Sequence, residues 1–170
     1  GSYTGTGHVR VYQFDGSIST WIKIGQDIDP GEAAYDRWGR SVSLSADGTV
    51  VAVGANENDA NGNNAGQVRG YRFDESTSTW TQVGLGIAGE AANDHSGESM
   101  SLSADGNFVA IGAKGNNGNG TDSGHVRVYQ FDESTNSWIK VGEDIDGEAA
   151  GDNSGYSVSL SADGAIVAVG

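Results

Sequence analysis

The sequence predicts an all-β protein built from four-stranded antiparallel blades stacked in series. Three observations carry this. The phrase SLSADGTVVAVGA, at Ser43 to Ala55, returns as SLSADGNFVAIGA at Ser101 to Ala113 and as SLSADGAIVAVG at Ser159 to Gly170. A second phrase, GHVRVYQFD, begins at Gly7, returns as GQVRGYRFD from Gly66 and recurs unchanged from Gly124, in steps of 59 and 58 residues. No stretch keeps a helical period beyond about two turns, while short apolar runs alternate with turn residues throughout.

Each repeat reads as four strands. SVSLS alternates small polar and apolar residues, as a half-buried strand does. Ala-Asp-Gly then makes a tight turn, because glycine takes positive φ freely. TVVAVGA is almost continuously apolar and is expected to be buried on both faces. An Asn/Gly-rich loop, NENDANGNNAG in the first repeat, leads into VRVYQFD, whose β-branched and aromatic residues suit a strand. DESTNSW is a polar turn, and the fourth strand opens at Trp21, Trp80 or Trp138 with WIKIG, WTQVG or WIKVG. Pro30 explains the longer first step, since GQDIDPGE stands where GEDIDGE stands later. Four antiparallel strands per repeat make one blade of a β-propeller, and each blade stabilises the next.

By this alignment residues 1–170 are one repeat domain, with units at 7–65, 66–123 and 124–170. The third unit ends after its inner hairpin. The order of strands is permuted, so that the last blade is completed from the N-terminus, by residues 1–6 and the strands behind them, or by another copy. Closed propellers hold at least about four blades. Three units are therefore expected to belong to a longer ring, or to assemble with other copies into a ring or a fibre.

Composition narrows the partners. Of 170 residues 23 are Asp or Glu and 9 are Lys or Arg, for a formal net charge of −14. Such a surface repels nucleic acid and anionic membranes and tolerates cations. Cysteine is absent, so disulfides and thiolate metal sites are excluded. No apolar run approaches the ~20 residues of a membrane helix, and no signal peptide is expected within these residues.

Candidate sites come from residues that carry oxygen ligands or break the repeat. Asn56, Asn58, Asp59 and Asn61 alternate somewhat as calcium loops do, and calcium is the one cofactor these loops admit. Lys114 opposes a cation in the matching loop of the next repeat. Asp36, Asp94 and Asp152 follow Glu32, Glu90 and Glu148 by four residues; they offer either calcium ligands or turn caps, and their repetition favours caps. Asn119-Gly120-Thr121 is the one glycosylation sequon. His8 and His125 are equivalent, with Gln67 between them, and read as structural. Arg10, Arg69 and Arg127 recur beside tyrosines, as scaffold. Tyr35 and Trp38 have no aromatic counterparts in the other repeats and are the candidate platform for a sugar face.

The frame SGYSVSLSADGAIVAVG, followed in the other copies by GHVRVYQFD, resembles the FG-GAP repeat, the blade of integrin-α-type propellers. Gly39-Arg40-Ser41, Gly97-Glu98-Ser99 and Gly155-Tyr156-Ser157 stand at the family's FG signature, and Gly54-Ala55 and Gly112-Ala113 at its GAP signature. The phenylalanine and the proline are missing, which resembles the divergent subtype of large microbial surface proteins. The resemblance covers essentially the whole chain. It implies an extracellular or cell-surface location, adhesion through the propeller face, and calcium in blade loops. One departure stands out: the family's D-x-D-x-D loop between the first two strands is here only SADG, so calcium does not carry over there.

The sequence thus leads to an extracellular structural and adhesion module. Its expected partners are other copies, further blades, a glycan or a surface protein. The alternative is a lectin-like carbohydrate-binding module of a larger secreted protein. No nucleophile, base or metal set breaks the repeat, so a non-catalytic chain is expected.

Overall fold

The computed structural model describes residues 7–29 and 35–170. Residues 1–6 and Glu32 therefore lie outside the described residues. Twelve strands and no helix are found among those described. Strands β1 (Val9–Asp15) and β2 (Thr20–Ile28) form a two-stranded sheet. Strands β3 (Ser41–Leu44), β4 (Val50–Ala55), β5 (Gln67–Asp74) and β6 (Thr79–Ala88) form a four-stranded blade in that order. A second blade follows with β7 (Ser99–Leu102), β8 (Phe108–Ala113), β9 (His125–Asp132) and β10 (Ser137–Asp146). The chain closes with a hairpin of β11 (Val158–Leu160) and β12 (Val167–Val169). Every pairing is antiparallel. The expected all-β, propeller-type, four-stranded architecture is present. The pairs β1–β2 and β11–β12 are separate sheets, so neither completes the other within the chain.

The SADG turns owe their shape to one aspartate each. Asp47 Oδ1 accepts from Ser45 Oγ (2.7 Å) and from the Thr49 amide (3.0 Å), while Gly48 takes φ of 76°. Asp105 and Asp163 repeat the arrangement with Ser103 and Ser161. The fourth strand carries a kink that periodicity does not show. The register shifts between Val68 and Gly70 and between Val141 and Ile145, where Gly84 and Gly142 take positive φ. A glycine in the left-handed region marks this kind of bulge.

All six residues of β4 are buried, as its apolar run predicts. Its two faces serve two interfaces. Val51, Val53 and Ala55 join a cluster with Val9, Val11, Trp38 and Trp80, whereas Val50 and Ala52 join one with Met100, Leu102, Val109 and Ile111. Each blade is thus a thin layer whose core lies between it and its neighbours, and burial there supplies most of the stability.

The small polar residues of the first strand differ from expectation. They face the next blade rather than water. Ser41 Oγ donates to the Gly97 carbonyl (2.7 Å), Ser43 Oγ accepts from the Leu102 amide (2.9 Å), and Ser99 and Ser101 do the same one blade on. The alternation in SVSLS separates previous blade from next blade, with Met100 and Leu102 turned back onto the preceding one. Turn tips are linked as well: the Ala46 amide donates to the Ala104 carbonyl and the Ala104 amide to the Ala162 carbonyl, both at 2.8 Å. Gly54 lies so close to the next blade that a Cβ there would stand 2.6 Å from the Gly97 carbonyl oxygen. The tryptophans clip the outer strands, with Trp80 Nε1 donating to the Ile24 carbonyl (3.1 Å) and Trp138 Nε1 to that of Val83 (3.3 Å).

Candidate functional site

The Gly-X-Ser turn before the first strand of each blade is where the repeat changes identity. Gly39, Gly97 and Gly155 take φ of 86°, 85° and 86°, a region open to glycine, and aim the next side chain across the blade edge. That side chain is Arg40, then Glu98, then Tyr156. The residue after each GA pair, Asn56 and then Lys114, meets the same row. The Glu98 side chain is only 2% exposed. Its Oε1 accepts from Arg40 Nη2 and faces Lys114 Nζ at 3.3 Å, and its Oε2 accepts from Asn56 Nδ2 at 2.6 Å. Lys114 Nζ lies 5.1 Å from the centre of the Tyr156 ring. The row thus links three consecutive repeats through charge.

Burial pushes the Glu98 carboxyl up, but the Arg40 hydrogen bond, the Lys114 and Arg40 charges and the Asn56 amide outweigh it and hold it below its ordinary value. It is an anion at neutral pH, fully engaged by donors and no proton donor. Arg37, whose Nε pairs with Glu57 at 2.8 Å, adds a third cation at this end of the blades. Three cations and two carboxylates, Glu98 and Glu57, thus meet at this end of the blades, beside the exposed Tyr156 ring.

The residues singled out by sequence are dispersed by the structure. Tyr35 is 59% exposed, but Trp38 is 3% exposed within the first core cluster, with the Arg69 guanidinium 5.2 Å from its ring centre. Trp38 offers no face to a sugar, which corrects the platform reading; an aromatic side chain with apolar neighbours on offer buries itself. Asn56 serves Glu98. Asn58 Nδ2 donates to Asp36 (2.7 Å) and Asp59 Oδ1 accepts from the Asn64 amide (2.8 Å). Asn61 Nδ2 donates to the Gly89 and Glu90 carbonyls (2.8 and 2.9 Å), so these four side chains point to separate partners. Asn119 repeats the Asn61 pattern, its Nδ2 donating to the Gly147 and Glu148 carbonyls (2.9 and 3.0 Å). A glycan on Nδ2 would break at least one of these bonds. Asp94 and Asp152 are turn caps, accepting from the Ala91 and Ala149 amides (2.9 and 2.7 Å). The Glu98 row was missed by sequence reasoning. Its signal was present, since three unlike residues occupy one otherwise constant motif.

Stacked four-stranded antiparallel blades place this protein among β-propeller repeats. Within that class, residues 28–68 match the model of the FG-GAP repeat family, so the FG-GAP repeat that the sequence resembles is present there. No curated protein matches the chain. Among solved structures it resembles a candidate 6-phosphogluconolactonase of Bacteroides fragilis NCTC 9343, at a TM-score of 0.57 and 16% identity over 83% of this chain and 33% of that one. It also resembles the periplasmic gluconolactonase PpgL of Pseudomonas aeruginosa (TM-score 0.45, 21% identity, 84% of this chain and 35% of that one). A third is a candidate 6-phosphogluconolactonase of Bacteroides uniformis ATCC 8492 (0.38, 12%, 98% and 57%). The chain spans about a third of the length of the first two. The first of these shows the fold, and it corrects the expectation of a non-catalytic chain, because a structure sharing the fold bears an enzyme's name. The physical reason is that repetition fixes the scaffold only. Unlike residues at equivalent positions of neighbouring blades can still converge, as Arg40, Glu98 and Tyr156 show.

Proposed function

We propose that this chain is an extracellular or cell-surface structural and adhesion module whose blades associate with further blades of the same kind, in copies of itself or in a longer polypeptide, as a ring or a fibre. The observation that supports this is the pair of open blade faces. Met100 and Leu102 are 8% and 7% exposed because the preceding blade covers them, whereas their equivalents Val42 and Leu44 are 55% and 47% exposed. Together with Val9, Val11, Tyr12 and Val51 they line a groove of about 250 Å³. The hairpin β11–β12 has the sequence that fills the corresponding space elsewhere. By analogy with the register of β8 on β9, Val167 would stand opposite Tyr12 and Ala168 opposite Val11.

Light scattering on the folded chain tests this. Dimers or larger species, reduced to a single chain by Leu44→Lys, are the expected result. A folded species of 17.5 kDa at every concentration overturns association between copies of this chain.

A further inference from the structure

His125 sits at the start of β9 and is 1% exposed, yet neither ring nitrogen has a hydrogen-bond partner. A buried polar group without a partner costs free energy comparable to a lost hydrogen bond, so such groups call for an explanation. The ring faces carboxylates. Its Nδ1 lies 3.6 Å from Asp144 Oδ2 and 3.9 Å from Asp146 Oδ1, both on β10. Glu90, from the loop after β6 of the preceding blade, closes the third side, and ligand atoms of Glu90, His125 and Asp144 all lie within 4.8 Å of one another.

The neighbours leave this set available. Arg127 Nη1 pairs with Glu90 Oε1 at 3.1 Å and Lys140 Nζ holds Asp144 Oδ1, so each cation engages one named oxygen of its partner. A carboxylate has a second oxygen to give. Burial, with the Arg127 charge, keeps the imidazole below its ordinary pKa and so unprotonated.

The repeats add an independent observation. The third repeat has His125 with Asp144 and Asp146, and the first has His8 with Asp27 and Asp29. The second has Gln67 with Gly86 and Ala88. Histidine and the aspartate pair occur together or are absent together. In the second repeat Gly86 makes room, since a Cβ there would meet Gln67 Cδ at 2.7 Å.

We propose that Glu90, His125 and Asp144 form an inter-blade site for a divalent first-row transition metal, with zinc as the ion that fits. Zinc takes imidazole nitrogen and carboxylate oxygen at about 2.0–2.2 Å and leaves a fourth position for water or for Asp146. Calcium prefers six to eight oxygens, and imidazole is no part of its set. Ligand atoms of one tetrahedral ion at these bond lengths stand roughly 3.3–3.6 Å apart, close to the 3.6 Å between His125 Nδ1 and Asp144 Oδ2. Rotation of Glu90, whose side chain is 48% exposed, brings in the third.

The test is calorimetric titration of zinc chloride into the chelator-treated full chain, alongside nitrogen-15 spectra of its three histidine rings. One zinc per chain and a shifted ring signal assigned to His125 are expected, with calcium chloride failing to compete. The double variant His125→Gln, Asp144→Gly copies the second repeat's own pairing and so preserves the fold. It should weaken binding by more than the roughly 10–100-fold that loss of an outer-shell partner costs. Glu90→Gln should weaken binding as well. Zinc binding unchanged in the double variant, an unshifted His125 ring or equal competition by calcium overturns the proposal.

Discussion

Replacing Glu98 with glutamine removes one charge from the row while keeping its shape. The wild-type carboxylate is buried and held by Arg40, Lys114 and Asn56. A hydrogen bond to a charged group contributes about 1.5–3 kcal/mol. Arg40 and Lys114 side chains are 42% and 27% exposed, so both can turn to water once released, which keeps the total near one such bond. Glu98→Gln should therefore destabilise the chain by about 1.5–3 kcal/mol, or roughly 3–12 °C for a domain of this size. Glu57→Gln, which breaks the half-buried pair with the exposed Arg37, should cost under about 1 kcal/mol. The pH dependence gives a sharper check. The folded carboxyl lies below its ordinary value of 4.5, so its contribution is complete above that pH and is lost as pH falls through the folded value. Denaturant unfolding followed by circular dichroism should thus show a gap between wild type and Glu98→Gln at neutral pH that closes in acid. A gap that is absent at pH 7, or that persists unchanged below the folded value, refutes the reasoning.

Trp80→Ala should cost about 3–5 kcal/mol, because its ring is buried and its Nε1 is bonded to Ile24; chemical denaturation measures it. Gly54→Ala should cost about 1–3 kcal/mol by pushing Gly97 and Met100 away, whereas Gly16→Ala, with nothing within 4 Å, should stay within about 0.5 kcal/mol. Asn119→Ala should lose about 1–2 kcal/mol with its two carbonyl bonds, and thermal melts should show it.

Much of the fold was legible because it is written several times. The apolar run at Val50 to Ala55 is buried as read, and the SADG turns close as read. The serines of SVSLS were misread because periodicity tells two faces apart without saying what covers them, and here both faces meet protein. Trp38 was taken for a surface platform because its neighbours in sequence are polar, while its neighbours in space are Val9, Val11 and Val53. Glu98 was passed over, and His125 read as scaffold, for another reason. Each meets groups of the preceding repeat as well as its own, Arg40 and Asn56 for Glu98 and Glu90 for His125, and a reading that aligns repeats compares positions instead of joining them.

The Glu98 row also bears on how near-identical blades find their order. The serine, glycine and alanine contacts recur from blade to blade, so stacking the blades in the wrong sequence, or exchanging one with a second chain, would satisfy nearly all of them again. The charges do not recur. Glu98 meets Arg40 on one side only, and a preceding blade that lacks that arginine leaves the buried carboxylate with Lys114 alone, at a cost of about 1.5–3 kcal/mol. That is enough to disfavour a misordered stack by roughly tenfold or more. Within a repetitive chain, this row acts as an address label.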